Sequence, residues 1–255
     1  MLTIDSVTKI FGEPATGYRA LKDVSIEVPE GEFLCLLGPS GCGKTTLMNI
    51  MAGFEGINGG RVLLHGRPVT GPGRDRMMFF QDAGSALFPW QTVEENVQYG
   101  LKLQRIPAAE RRRRVDFNLS MVGLDEHRRK FPAQLSGGMR QRLQIARGLA
   151  VDPDILLMDE PFGALDAMSK RRMQGFLLDI WQRTGKTIVF VTHDIAEAIL
   201  LADRIAVMSV GPDSRFRDIV TIEIPRPRDP SSPGFGEVYA QIERLLGHDL
   251  DRHEG

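Results

Sequence analysis

Cysteine is scarce in this 255-residue chain: there are two, Cys35 in the apolar run Phe33 to Leu37 and Cys42 among glycines. That supports neither a disulfide framework nor a zinc site, and both thiols fit a reducing cytosol. Net charge is nearly absent as well, with 32 Lys and Arg against 33 Asp and Glu. No broad basic surface is therefore expected to recruit nucleic acid. Long apolar runs are missing too, since no stretch reaches the roughly 20 residues that cross a bilayer. The opening MLTIDSVTKI lacks the charged and apolar regions of a secretory signal. Membrane association would thus come through a partner. No motif occurs twice, so there is no tandem second copy. What remains fits one globular domain with a sizeable core and room for an inserted lobe.

What the chain does contain is glycine in particular places. Gly38 to Thr45 fits the pattern G-x-x-x-x-G-K-[ST], after the run FLCLL and before TLMNIMAG. A strand feeds a glycine turn that opens a helix. Gly38, Gly41 and Gly43 let the backbone NH groups converge on an anion, and the helix start adds partial positive charge. Pro39, Ser40, Cys42 and Thr46 complete the cradle. Lys44 is expected to reach the β- and γ-phosphates of a nucleotide, and the Thr45 hydroxyl to ligate Mg²⁺.

A second chemical signal is ILLMDE, ending at Asp159 and Glu160. A short apolar run bounded by Pro153 and Pro161 reads as a buried parallel strand, whose carboxyl end is where open α/β sheets place ligands. Adjacent acids on a strand face opposite sides and suit different tasks. Asp159 is expected to hold Mg²⁺, and Glu160 to orient or deprotonate an attacking water. A third signal is LSGGMRQR at Leu135 to Arg142, which runs into the helical MRQRLQIARGLAV. Its free NH groups at the helix start make a second anion site.

With the third set between the first and the second along the chain, these segments resemble, respectively, the P-loop, Walker B and signature motifs of the ATP-binding cassette (ABC) family. The resemblance implies ATP and Mg²⁺ as ligands and ATP hydrolysis as the reaction. It also implies an α/β fold: a P-loop NTPase (RecA-like) core with a small antiparallel β-subdomain and an inserted α-helical signature subdomain. It implies a head-to-tail homodimer in which Ser136, Gly137 and Gly138 of one chain clasp the γ-phosphate held by Lys44 of the other. Gln81 looks like the Q-loop glutamine that senses Mg²⁺ and the γ-phosphate. Ala164, Leu165 and Asp166 look like the D-loop, with Asp166 near the dimer seam, and His193 looks like the switch histidine on the γ-phosphate. Phe11 resembles the aromatic on which adenine stacks, with Tyr18 as the alternative. The chain departs from the commonest pattern at Met139, Gly163 and Thr45, all of which keep the necessary donors, turn or hydroxyl.

Periodicity organises the rest. Leu2 to Val7, Val24 to Val28, Arg61 to Leu64 and Arg67 to Thr70 alternate as half-exposed antiparallel strands do. From Thr92 to Val151 the pattern is helical, with Pro107 suited to a first turn and Gly123 to a stop. Strands are expected near 155–159, 187–192 and 204–210, and helices after Ala167 and Asp194. The division is an ATPase domain over 1–224, with a helical subdomain at about 92–151. A proline-rich linker and short helix follow over 225–255. The basic run Arg111 to Arg114 wraps around a helix and reads as a solvated face.

The segment DAGSALFPWQTVEENVQYGL, the wording SGGMRQR and the tail PRPRDP are similar to ATPases of the nitrate, sulfonate and taurine importer group. That resemblance implies a peripheral subunit on the cytoplasmic face of the inner membrane. Its partners would be transmembrane permease subunits and, indirectly, an extracytoplasmic solute-binding protein; nucleic acid is not among them. Phe88, Pro89 and Trp90 would dock the permease, or else pack within the helical lobe. A soluble non-transport ABC ATPase, or the ATPase of an export or lipid-transport complex, is the alternative.

Overall fold

A computed structural model describes residues 1–13, 16–80, 86–163 and 165–247. Gln81 and Ala164, both singled out above, lie outside this set. The chain divides into two units, Met1–Gly73 with Thr184–Gly255, and Arg74–Arg183.

In the first unit, the alternating segments form an antiparallel sheet of order β2-β1-β4-β5. Its strands are β1 (Leu2–Phe11), β2 (Tyr18–Val28), β4 (Gly59–Leu64) and the short β5 (Arg67–Pro68). Strand β1 buries alternate residues, which gives the sheet one core face. The continuous apolar runs behave differently. All residues of β3 (Phe33–Leu37) and β8 (Thr187–Thr192) are buried, and the two pair in parallel. Burying each such apolar side chain contributes about 1.5–3 kcal/mol over leaving it exposed. Strand β9 (Arg204–Met208) pairs in parallel on the other side of β3, and β10 (Phe216–Thr221) adds an antiparallel edge. The expected strand at 204–210 ends at Met208, and β10 is an element that periodicity did not announce. Helices α1 (Lys44–Ala52), α6 (Ile195–Leu201) and α7 (Pro233–Gly247) complete this unit.

The second unit carries the parallel pair β6 (Arg76–Phe79) and β7 (Ile155–Asp159). Its helices are α2 (Val93–Leu103), α3 (Ala108–Met121), α4 (Gly137–Ala150) and α5 (Ala167–Thr184). Thr92 and Glu95 form a reciprocal capping box at the start of α2. Pro107 caps α3 from outside, and Gly123 turns the chain just beyond it at φ +64. Gly148 of α4 stands where an added Cβ would lie 2.4 Å from the Phe79 ring, so helix and strand touch through glycine. Within the basic run, Arg113 and Arg114 bond Glu110, and Arg111 donates to the Ile106 carbonyl.

The proline-rich tail segment makes specific bonds. Buried Arg228 donates to the carbonyls of Ile199 and Ala202 at the end of α6, and to those of Ile222 and Ile224. Arg226 donates to Asp203 and to the Leu201 carbonyl. Composition suggests a linker here; the observed segment is a strap that satisfies the last carbonyls of a helix.

Candidate active site

Strand β3 ends at Leu37, opposite Thr192 of β8, so Gly38 and His193 leave adjacent parallel strands at their carboxyl ends. That is the edge where a nucleotide-binding loop belongs. Two glycines of the loop are required for different reasons. At Gly38 an added Cβ would lie 2.7 Å from the Cys42 sulfur, which leaves no space. Gly41 has nothing within 4 Å of that position but adopts φ +78, a conformation that disfavours any side chain.

Gly43, also left-handed, caps α1, and Lys44 is its first helical residue. The Lys44 ammonium is buried and donates to the carbonyls of Gly38 at 2.7 Å and Pro39 at 2.8 Å. Its third contact is Cys42 Sγ at 3.6 Å. Burial pushes the Cys42 thiol up, so a neutral sulfur rather than a thiolate accompanies the ammonium. Among the described residues, the acceptors that hold this positive charge inside the loop are neutral. Thr45 is exposed in the first turn of α1.

His193 is exposed at a braced corner. Thr192 Oγ1 donates to buried Glu197 Oε2 at 2.5 Å and accepts from the Asp194 N–H at 3.1 Å. Asp194 Oδ1 in turn accepts from the Glu197 N–H and caps α6. Sequence reading identified the histidine but not these three braces.

Phe11 and Tyr18 are direct cross-strand partners at the end of the β1/β2 hairpin, and both are exposed. The Lys9 ammonium lies 4.8 Å from the Phe11 ring centroid. Tyr18 lies close to the phosphate loop: a Cβ on Gly211 would meet the Tyr18 hydroxyl at 2.5 Å and the Gly41 carbonyl at 3.6 Å. Both rings are thus exposed side by side at one end of the sheet.

In the second unit, Phe79 pairs with Met158, so the segment entering Gln81 and the acids of β7 leave their strands together. Strand β7 ends at Asp159. Glu160 turns into the left-handed region at φ +43, so the pleat expected to set the acids on opposite faces stops between them. A non-glycine residue held there is a strained position of the sort that clusters at functional sites. The turn is closed by Gly163 N–H donating to the Glu160 carbonyl at 3.1 Å.

Ser136 caps α4, its hydroxyl accepting from the Met139 N–H at 3.3 Å. Arg140 folds back onto the Leu135 carbonyl. An added Cβ at Gly138 would meet nothing within 4 Å, and Gly137 has only the far end of Arg140 at 4.0 Å. No described neighbour demands glycine here; what the glycines leave is half-buried backbone without a side chain at a helix start. Asp166 has a local partner: its Oδ1 accepts from the Met168 and Ser169 N–H groups, and hydrogen bonding to Ser169 holds its carboxyl below the usual range. It caps α5.

The loop bearing Phe88, Pro89 and Trp90 is pinned by Asn96, which is fully buried. Asn96 accepts from the Phe88 N–H and donates to the carbonyls of Phe88, Gln91 and Thr92. Arg147 stacks on Phe88 at 4.3 Å, and Phe88 packs on Tyr99 at 4.5 Å. Trp90 is left 71% exposed on this fixed loop. Nearby lies a groove of about 510 Å³ lined by Met77, Phe79, Phe80, Tyr99 and Leu103.

Thr45 and Asp159 offer hard oxygen donors, the chemistry Mg²⁺ selects. Among the described residues, no group of three or more His, Cys, Asp or Glu side chains is placed to hold a metal. Mg²⁺ bound with a nucleotide does not need such a cage, because phosphates and water complete its octahedron. Each of these donors is thus of the kind that suits Mg²⁺. No helix among the described residues is long and apolar enough to cross a membrane.

Residues 21–163 match the family model described as ABC transporter. An uncharacterised ABC transporter ATP-binding protein of Methanocaldococcus jannaschii is 47% identical over 96% of this chain and 91% of its own. The nitrate import ATP-binding protein NrtD of Synechococcus elongatus is 43% identical over 98% and 94%. Among solved structures, a dimeric ATP-binding cassette in a post-hydrolysis state bound to ADP and Pi is similar at TM-score 0.73 and 32% identity. It covers 88% of this chain and 100% of its own. A component of the cbiONQ ABC transporter complex of Clostridium perfringens reaches TM-score 0.80 at 26% identity, over 100% and 98%. A phosphate loop with a caged lysine, a strained glutamate after a buried strand, and a bare glycine helix start thus coincide with relatives spanning nearly the whole sequence: the chain belongs to the ABC transporter family, as one of its ATP-hydrolysing cassettes.

Proposed function

We propose that this chain is the ATPase subunit of an ABC importer, docked on permease subunits at the cytoplasmic face of the membrane and powering uptake of a small solute. The similarity to a nitrate import protein, and to a bicarbonate transport ATP-binding protein of Synechocystis at 45% identity over 89% of this chain and 81% of that one, favours a small solute of the nitrate, sulfonate or taurine group. A solute-binding protein outside the membrane would deliver it. The observation that carries the permease partner is Trp90, 71% exposed on a loop that Asn96 holds rigid beside an apolar groove. An aromatic anchor fixed before binding loses little entropy on docking and contributes strongly to an interface.

The chemistry follows from the residues. Lys44 exchanges two neutral carbonyls for β- and γ-phosphate oxygens, and charge-assisted bonds of that kind are the stronger ones. The backbone NH groups of residues 40–46 cradle the phosphates, and Phe11, or Tyr18, carries adenine. Thr45, Asp159 and Gln81 are the oxygen donors for Mg²⁺, which when bound neutralises charge on the phosphates. Glu160 takes a proton from the attacking water while His193 holds the γ-phosphate from its braced corner. Two copies pair head to tail, so that Ser136, Gly137 and Gly138 of one copy close on nucleotide held by the other, with Asp166 beside the seam. Since closure must draw on contacts made only in the closed state, the γ-phosphate is what binds that state preferentially.

The test is purification of the chain from its native membranes in mild detergent. A multi-span membrane protein is expected to accompany it, and Trp90→Ala is expected to lose that partner while retaining ATPase activity. Recovery of soluble partners alone would overturn the importer reading.

A further inference from the structure

Gln141 lies one turn into α4, five residues after Ser136, and is 6% exposed. Its amide Nε2 donates to the Pro161 carbonyl at 2.6 Å, 20 residues away in sequence and directly after Glu160. Its amide oxygen is buried without a partner among the described residues. A glutamine half satisfied in an apolar interior is a poor choice for stability, because a buried acceptor without a bond carries the whole cost of its desolvation. A methionine would fill the same volume with no such cost. The bond therefore calls for a different account.

Three observations supply one. Glu160 sits at φ +43, and strain of that kind persists only where the surroundings over-determine it. Pro161 has no N–H, so its carbonyl is the one backbone hydrogen-bonding group by which that residue can be held. Gln141, Pro161 and Phe162 also border a small cavity of about 10 Å³, so packing is incomplete where the helix meets the turn. The hydrogen bond spans that place. On the Glu160 carbonyl side the turn is closed by Gly163, and on the Pro161 side it is held by Gln141.

We infer that Gln141 is a positioning residue for Glu160, tying the helix that begins at the signature glycines to the turn that holds the catalytic carboxylate. This rests on the reading of Glu160 as the group that activates water. A shift of α4 when its N-terminus engages nucleotide on the partner copy is then passed directly to the peptide following Glu160. Hydrolysis is thereby linked to engagement of the signature helix within the same chain.

The experiment is a double-mutant cycle on full-length protein with Mg-ATP, measuring kcat, KM, nucleotide affinity and thermal midpoint. Gln141→Met is expected to lower kcat at least about tenfold with ATP affinity changed less than about twofold and the midpoint unchanged or raised. In a Glu160→Gln background, the same change is expected to have little further effect, because both substitutions act on one group. Equal losses of kcat in both backgrounds, normal turnover of Gln141→Met, or parallel loss of ATP affinity would each overturn the positioning role. Near-normal turnover of Glu160→Gln alone would instead overturn the assignment of the base. If Gln141→Met does not fold, Gln141→Asn keeps the amide, shortens its reach and carries the same comparison.

Discussion

Lys44 is the residue whose environment says most about its work. A buried ammonium bonded to the carbonyls of Gly38 and Pro39 is stable but not strongly paired, and phosphate oxygens are better acceptors. Lys44→Ala should therefore weaken ATP binding by roughly 100-fold, from two charge-assisted bonds worth about 1.5–3 kcal/mol each partly replaced by water. Titration with a fluorescent ATP analogue checks this; undiminished affinity would remove Lys44 from the site. At this scale the sequence was most legible where chemistry depends on near neighbours. Lys44 and Ser136 make their hydrogen bonds within a few residues of their own motifs. It was least legible where a side chain works on something distant. Asn96 pins a loop that precedes it, Glu197 braces His193 through Thr192, and Gln141 reaches Pro161. Each reads in sequence as an ordinary polar position on a helix, since amphipathic spacing reports burial and not the partner.

Among elements, the lesson is similar for strands. Continuous apolar runs announced β3, β7 and β8, and alternation announced the antiparallel sheet, because burial on two faces or one leaves that trace in composition. The edge strand β10 buries one residue, Val220, and so left no trace. The bonds of the strap at residues 225–229 are hidden for a related reason. Proline and arginine look like a solvated linker, yet Arg228 is buried against four carbonyls, two of them at the end of α6. Desolvation lowers the Arg228 pKa to about 10, still well above neutrality, so it stays charged. Arg228→Met fills the space but leaves the carbonyls of Ile199 and Ala202 without their donor. A loss of roughly 2–4 kcal/mol is expected, from two orphaned buried acceptors at about 1–3 kcal/mol each. Because α6 starts at the residue after His193 and Asp194, the same change should slow hydrolysis more than it weakens ATP binding. Chemical denaturation with parallel kinetics separates these effects, and wild-type stability would show that the strap is not fastened by this arginine.

At the scale of the whole molecule, the glycines of the signature are the informative feature. Gly38 is required by its own chain, where the Cys42 sulfur occupies the space, and Gly41 by its own backbone. Gly138 is required by neither: its φ is not among the positive values, and a side chain there would meet nothing within 4 Å. Without a side chain, the backbone at this helix start can be approached closely by an anionic surface outside the chain. If that surface is nucleotide on a second copy, the Gly138→Asp variant should fold normally, bind ATP through its own phosphate loop and fail to hydrolyse it. Mixing it with Lys44→Ala, also inactive alone, then becomes decisive. In a head-to-tail pair of unlike copies, one site combines both defects and the other combines intact Lys44 with intact Gly138. Random exchange makes about half the dimers unlike, so up to about a quarter of wild-type sites should be restored. Recovered phosphate release in the mixture, rising with protein concentration, is the expected result. A mixture as inactive as its components would mean that each chain completes its own site, and the open glycines would need another explanation.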